Sequence, residues 1–600
     1  MGRLPGMAYS SGITRSQQVQ FGGLRHHPNA GDGEIYDMEN MSARDYPLLR
    51  SRDKRRNGGE LVDATEMFFD NHAMWYVNAD GWLWYKRALL ILSVAYIGAG
   101  ETKFIRFGDR IVLMPAKKLV QAKYTVVGTA ANPAALPTSA EKGTAYVINT
   151  NNDPQAPEWS LFVWTGDEWD SMGAWVVSME AELTATKITI SDGTIYGAAA
   201  TANTLTINLP ASADLAKAGF QAGDAVEIDG LTTEPDNNKI AIIREIGSKS
   251  IAFSDYCFKI PLSASGEKQT SYSETGTITL RRSVPDMDVC FEFENRLWGA
   301  DKKEIFASAL GDPTNFYVFD GLSTDSWYVE LQTRGEITGG VGWHYPTFFR
   351  EGYILRIYGE DATTFQTSEI LAPGVAHGMQ HSLGAAGGLL FYYSPQGMMA
   401  YDGDYPQDLQ QVFGPSEYSG GLAQSDGTDY YIQLTPNQDG PRIYHYDGLR
   451  GIWTVEDSPN IDSMALTEGA ETLLPSIIAM TTGKELTTLK GPGGPWAENK
   501  AAVESFVEFA DFTMESPNRK AVSKLLLRLS LMGASVTVKI QYDSSGTWKS
   551  VATLTAAGKR SYYLPVVPHR CDHFRIRIEA TGEWALHSLA IEYYAGSALH

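Results

Sequence analysis

The densest run of like chemistry in this chain is basic: Arg50-Ser-Arg-Asp-Lys-Arg-Arg56 places Arg50, Arg52, Lys54, Arg55 and Arg56 in one short stretch of a protein whose formal charge is -22. Such a run can contact nucleic acid or the acidic surface of a neighbouring subunit, and equally can stand as a solvated surface segment. Trp164 with Trp169, and Trp82 with Trp84, could stack on sugar rings or serve as cross-strand pairs in a β core. His569, Cys571 and His573 alternate, so on one strand they share a face and could touch one metal. That face also carries Arg575 and Arg577, whose charge opposes a cation, and it reads as a polar sandwich face or subunit contact. Asp402-Gly-Asp404 supplies two carboxylates where Ca²⁺ takes about six to eight oxygens, and reads as a hairpin turn.

Motifs for covalent or nucleotide chemistry fail on spacing. Gly483-Lys484 has Ile478 where a phosphate-cradling loop needs its first glycine, and no Gly-x-Ser-x-Gly elbow occurs. The turn Asp543-Ser-Ser-Gly-Thr-Trp548 has the wrong spacing for the Asp-box of sialidase-type propellers. No catalytic residue, cofactor site or metal site is expected, although a glycoside hydrolase is the enzyme class that this all-β pattern would leave open.

The elements that must carry these residues are strands. Helical periodicity is nearly absent, whereas short aromatic and β-branched runs bounded by Gly, Asp, Asn and Pro recur from end to end. Met74-Trp-Tyr-Val-Asn-Ala-Asp-Gly-Trp-Leu-Trp-Tyr85 and Tyr444-His-Tyr-Asp-Gly-Leu-Arg-Gly-Ile-Trp-Thr-Val455 both read as strand, glycine turn, strand. The expected fold is all-β, with this cadence over 61–120 and 285–490 giving a β-propeller of about six blades at roughly 45 to 50 residues per blade. Two separate β-sandwiches are the alternative. Residues 1–60 are expected to hold an N-terminal arm and the first propeller strands. In 121–284 Ala, Thr, Asn and Ser become common and the cadence stops, which predicts inserted β modules, the second of them a small barrel or sandwich. Gly491-Pro-Gly-Gly-Pro495 reads as a linker to a C-terminal β-sandwich over 496–600, where Leu525-Leu-Leu-Arg-Leu-Ser-Leu and Val536-Thr-Val-Lys-Ile-Gln-Tyr542 alternate. The most apolar run, 88–98, is too short to span a membrane and is expected to be a buried strand pair.

Composition narrows the function classes. Six hundred residues with 43% hydrophobic and 20% charged side chains imply several globular domains. With 71 acidic against 49 basic residues, the overall sign opposes tight, general binding to phosphate backbones. Three scattered cysteines form neither a disulfide framework nor a clustered metal site and suit assembly inside a cell, and the first 18 residues carry no apparent secretory signal.

Phe21-Gly-Gly-Leu-Arg, Gly33-Glu-Ile-Tyr-Asp-Met-Glu-Asn-Met41 and Tyr46-Pro-Leu-Leu-Arg-Ser-Arg52 together resemble the opening of tail nozzle, or tail tubular, proteins of tailed bacteriophages. Glu294-Asn-Arg-Leu-Trp-Gly299, Ala307-Ser-Ala-Leu-Gly-Asp-Pro313, Asp320-Gly-Leu-Ser-Thr-Asp-Ser-Trp327 and Arg570-Cys-Asp-His-Phe-Arg-Ile-Arg577 are similar to later segments of phage and prophage tail proteins. Each motif is structural, and their order along the chain is the stronger signal; 121–284 departs from the shorter family plan. The resemblance implies a virion component assembled in the bacterial cytoplasm. It would be a homo-oligomeric ring, a hexamer, forming the nozzle or connector of the tail, bound to other tail proteins and passed by DNA without sequence specificity. The alternative is a receptor-binding adhesin whose Trp164 and Trp169 meet host surface glycans.

Overall fold

Alternation along the strands decides which side chains leave water. In the strand Lys520–Tyr542, Leu525, Leu527, Leu529, Leu531, Val536, Val538 and Ile540 are buried while Arg528 between them is exposed. The same period places Leu205 and Ile207, then Val226 and Ile228, inward with Thr206 and Glu227 outward. The computed structural model describes residues 13–27, 29–70, 73–149, 159–192, 203–210, 213–254, 256–437, 439–468, 475–490, 502–516 and 518–595. Among them the chain is all-β, with a single α-helical turn at Gln410–Phe413. It divides into two compact units, one comprising 1–63 with 372–600 and the other 64–371.

The unit 64–371 contains four antiparallel four-stranded sheets in simple up-and-down order, spanning 64–96, 103–178, 289–330 and 339–371. The second is completed in an unusual way. Its fourth strand, Val176–Ser178, pairs with Lys118–Gln121 only after an intervening sheet of its own over 126–174, in which Val126–Ala130 runs parallel to Ala145–Ile148. A closed six-stranded barrel follows, from Ala181–Ser191 to Ser271–Arg282, around Ile188, Ile190, Phe253, Ile278 and Leu280. The expected β modules within 121–284 are this sheet and this barrel, and one strand of the host sheet, Val176–Ser178, separates them. The expected buried pair over 88–98 is instead a turn followed by one outer strand, Leu90–Tyr96: Ala88 adopts a positive φ of 49°, Leu89 is fully exposed, and of this strand only Val94 is deeply buried.

The other unit contains three further four-stranded sheets, over 384–408, 418–457 and 461–490, the last completed by Asn57–Glu60 from the start of the chain. Its remaining strands form one ten-stranded sheet built on two very long antiparallel strands, Lys520–Tyr542 and Phe574–Ala595. Their register shifts where Met532 and Gly533 both oppose Glu583. There Gly582, at φ +105°, brings its backbone so close that a Cβ would stand 3.0 Å from Ala534 Cα.

The first 60 residues are more than an arm. Ile13–Gln18 and Leu49–Ser51 pair with Phe574–Ala595, Ile35–Glu39 pairs with Glu504–Phe509, and Met38, Met41 and Leu49 lie in the same core as Leu527, Ile576 and Trp584. The last hundred residues accordingly share their sheet with the first fifty, and the expected linker at 491–495 falls outside the described residues. Trp584 is fully buried, and its Nε1 donates to Ser505 Oγ at 2.9 Å. Trp584→Ala should cost about 3–5 kcal/mol, read as a lower urea midpoint of the full-length protein at an unchanged slope.

Candidate functional site

The basic run owes its shape to the strand before it. Leu49–Ser51 pairs with Ala585 and Leu586, and Ser51 Oγ accepts from Trp584 N at 3.1 Å, so the chain leaves the sheet at Arg52 in a fixed direction. Asn40, at φ +57°, anchors the next residues. It receives Arg52 Nε at 2.6 Å and Asp457 N at 3.1 Å on its side-chain oxygen, and its amide donates to Glu504 O at 2.8 Å. Arg52 Nη2 then donates to Asp457 Oδ1 at 2.9 Å, and Arg55 Nη2 to Glu456 Oε2 at 2.9 Å and Asp457 O at 2.6 Å. Burial alone would raise the Asp457 carboxyl, but Arg55 and Arg52 hold it below the usual carboxylate range.

Five basic side chains that look alike in sequence thus divide by environment. Arg52 and Arg55 are only 6% and 5% exposed and are spent on carboxylates of the strand Ile452–Asp457. Arg50, half-buried, reaches Asp53 at 2.7 Å and lies within 3.4 Å of Asp45 and Glu583. Lys54 and Arg56 are exposed and make no ion pair among the described residues. The segment is neither wholly a solvated loop nor wholly an outward patch.

Beside it, His445 stacks on Tyr431 with centroids 4.2 Å apart and planes 12° apart, and its Nε2 lies 3.5 Å from Asp429. Lys490 reaches Asp429 at 2.6 Å and also pairs with Asp426. Burial would raise the Asp429 carboxyl, yet His445 and Lys490 hold it at about 2. Nothing in the spacing of Asp429, His445 and Lys490 announces this cluster, because only the strand pairing brings them together.

The tryptophan pair is a cross-strand contact. Trp164 opposes Trp169 directly, their rings meet edge-on at 5.4 Å, Trp164 is 8% exposed, and Trp169 Nε1 donates to Pro137 O at 2.7 Å. Trp84 stacks on Tyr76, whereas Trp82, 42% exposed, meets Tyr96 edge-on at 5.5 Å.

His569, Cys571 and His573 do not converge. A bend at Asp572 and His573 breaks the strand parity, so Cys571 is buried on the core side, where burial pushes its thiol up to about 12. His569 lies against Tyr542, and His573 has Nδ1 2.7 Å from Asp572 and Nε2 2.7 Å from Ser544 Oγ. The positive charge expected from Arg575 and Arg577 is answered by Glu508, Asp511 and Glu579. The side chains that do approach one another are Asp543, Asp572 and His573, in an exposed turn. Asp402 accepts from Asp404 N at 3.0 Å in a turn between paired strands, as its sequence suggests.

Two of the segments carrying the resemblance, 294–299 and 320–327, contain turns held by buried side chains. Glu294 and Asn295 take positive φ at a hairpin, and buried Arg296 donates to Ser308 O at 2.8 Å and Ser323 O at 2.7 Å. Asp325 accepts from Gly321 N at 2.7 Å and Leu322 N at 3.0 Å.

No family model matches the chain, and no curated protein does. Similar solved structures include the computationally designed Ika8 protein, at 10% identity over 72% of this chain and 98% of that one with a TM-score of 0.29. BBS1N, solved in complex with ARL6DN, is 12% identical over 59% of this chain and 88% of that one, with a TM-score of 0.19. Neither likeness is strong enough to carry an argument about this chain.

Two outcomes follow from the geometry. Arg55→Glu, which sets a carboxylate against buried Glu456, should destabilise the protein by about 3–5 kcal/mol, whereas Lys54→Glu with Arg56→Glu should stay within about 0.5 kcal/mol; chemical denaturation separates them. Because the Asp429 carboxyl is depressed in the fold, its contribution is present above its ordinary value of 3.8 and lost as pH falls toward 2. Between pH 4 and pH 2 the wild type should therefore lose about 2 kcal/mol more than Asp429→Asn, measured by urea unfolding across that range.

Proposed function

We propose that this protein is a structural component of a tailed-phage tail, a homo-oligomeric ring of about six copies at the nozzle or connector. It would be joined to other tail proteins and passed by DNA. The observation that carries this reading is how the chain is tied: strands from the first 60 residues complete sheets built by residues 461–595, and the buried arginines there are committed to internal carboxylates rather than to a reacting centre. The order of the tail-protein motifs supports the same reading, as does an acidic chain whose carboxylates would repel passing phosphates and let DNA slide. We take the up-and-down four-stranded sheets of each unit as propeller-type blades, which the cadence in the sequence puts at about six.

The adhesin reading draws on a different observation from the one its sequence motif offered. Trp164 is too enclosed to present a face, while Trp82 and Tyr96 form an exposed aromatic pair that a sugar ring could cover. Electron microscopy of tails carrying a labelled copy of this protein decides between them. The nozzle reading expects a closed ring on the tail axis with DNA density in its lumen; a peripheral, off-axis position, or a monomer at micromolar concentration, overturns it.

A further inference from the structure

We propose that the basic run builds a binding site for a compact tetrahedral oxyanion of the phosphate class. Arg44, Arg52, Lys54, Arg55 and Arg56 line one small cavity, with Asp53 and Glu456 as its carboxylates. Five cations line the cavity with two carboxylates, and even with Asp457 behind Arg52 and Arg55 the group carries a net positive charge in a chain of charge -22. Its volume, about 40 Å³, is roughly three times the least that one water needs, which suits a compact ion and excludes a bulky organic ligand.

The second observation is a donor without a partner. Arg55 is 5% exposed; its Nη2 is taken by Glu456 and Asp457, but its Nε is buried and, among the described residues, donates to nothing. A buried, charged donor left unpaired is costly, and such groups mark the place of an ion or water. Asp53 and Glu456 fix the arginines without exhausting them: Asp53 holds Arg44 at 2.7 Å, and Glu456 holds Arg55 at 2.9 Å. Exposed Lys54 and Arg56 remain to neutralise an incoming anion. A tetrahedral phosphate group offers acceptors in more directions than a planar carboxylate, and guanidinium forks bind it strongly. The site stands on these side chains alone and is independent of the tail reading. The same phosphate chemistry could come from free inorganic phosphate or from a backbone phosphate of DNA.

Calorimetry with full-length protein tests it, at constant ionic strength in chloride buffer, titrating inorganic phosphate in one arm and a 12-base-pair duplex in the other. Wild type should bind phosphate saturably. Lys54→Ala with Arg56→Ala, whose unpaired exposed side chains leave the chloride melting temperature unchanged, should weaken binding at least tenfold, and Arg55→Lys should do the same if it melts as wild type does. Phosphate binding without duplex binding assigns the site to the free ion. Duplex binding that phosphate displaces and the double variant loses assigns it to backbone phosphate. Absence of saturable binding in both arms, unchanged affinity in the double variant, or binding of a glutamate-rich peptide in place of phosphate overturns the proposal.

Discussion

The structure depends on joining its two ends. Ile13 opposes Tyr594 and Gln18 opposes Leu589, so the chain closes on itself across nearly its whole length. Loop-closure entropy grows only with the logarithm of length, so a closure this long costs a few kcal/mol more than a short one and is within reach of ordinary burial. Here the offset is layered. Met38, Met41 and Leu49 enter the core of the long strands, Asn40 ties three segments through its backbone and side chain, and Arg52 and Arg55 fasten the exit of the segment to Glu456 and Asp457. Without Arg55, buried Glu456 would lose its partner at 2.9 Å.

That constraint explains where an acidic protein puts its few cations. Arg442 meets Asp37 and Glu39, Arg575 meets Glu508 and Asp511 while lying 4.5 Å from the Tyr36 ring, and Arg577 meets Glu508 over the Phe506 ring at 3.8 Å. Each arginine couples strands that are far apart in sequence. Bidentate and stacked contacts of this kind favour arginine over lysine, and the lysine of the basic run, Lys54, is one that remains outside.

Much of the fold was legible, and for a simple reason: a strand's period of two is local. The alternation in Thr204–Ile207, Ala225–Asp229 and Lys520–Tyr542 named inward side chains directly, and the glycine-turn cadence named hairpins. What local pattern cannot carry is pairing at a distance. Asn57–Glu60 is fully exposed along its length and has no apolar face, so nothing in it points to Glu485–Lys490. Val176–Ser178 is three residues long and completes a sheet begun more than fifty residues earlier. The site suffers the same loss. The charge of residues 50–56 was plain, but whether a given arginine faces water or Glu456 depends on the pairing of Leu49–Ser51. Cys571 misled for a related reason, because alternation predicts its face only while the strand continues, and here it bends one residue later.

Hydrogen exchange in the intact protein tests the joining of the ends most directly. If strands at the start of the chain are integral members of sheets built near its end, the paired amides of Ile35–Glu39 and Leu49–Ser51 should exchange as slowly as those of Glu504–Phe509 and Phe574–Ala595, and all four should become unprotected together in denaturant. Exchange of the first two segments within seconds, while the last two stay protected for hours, would show an independent arm and contradict the account.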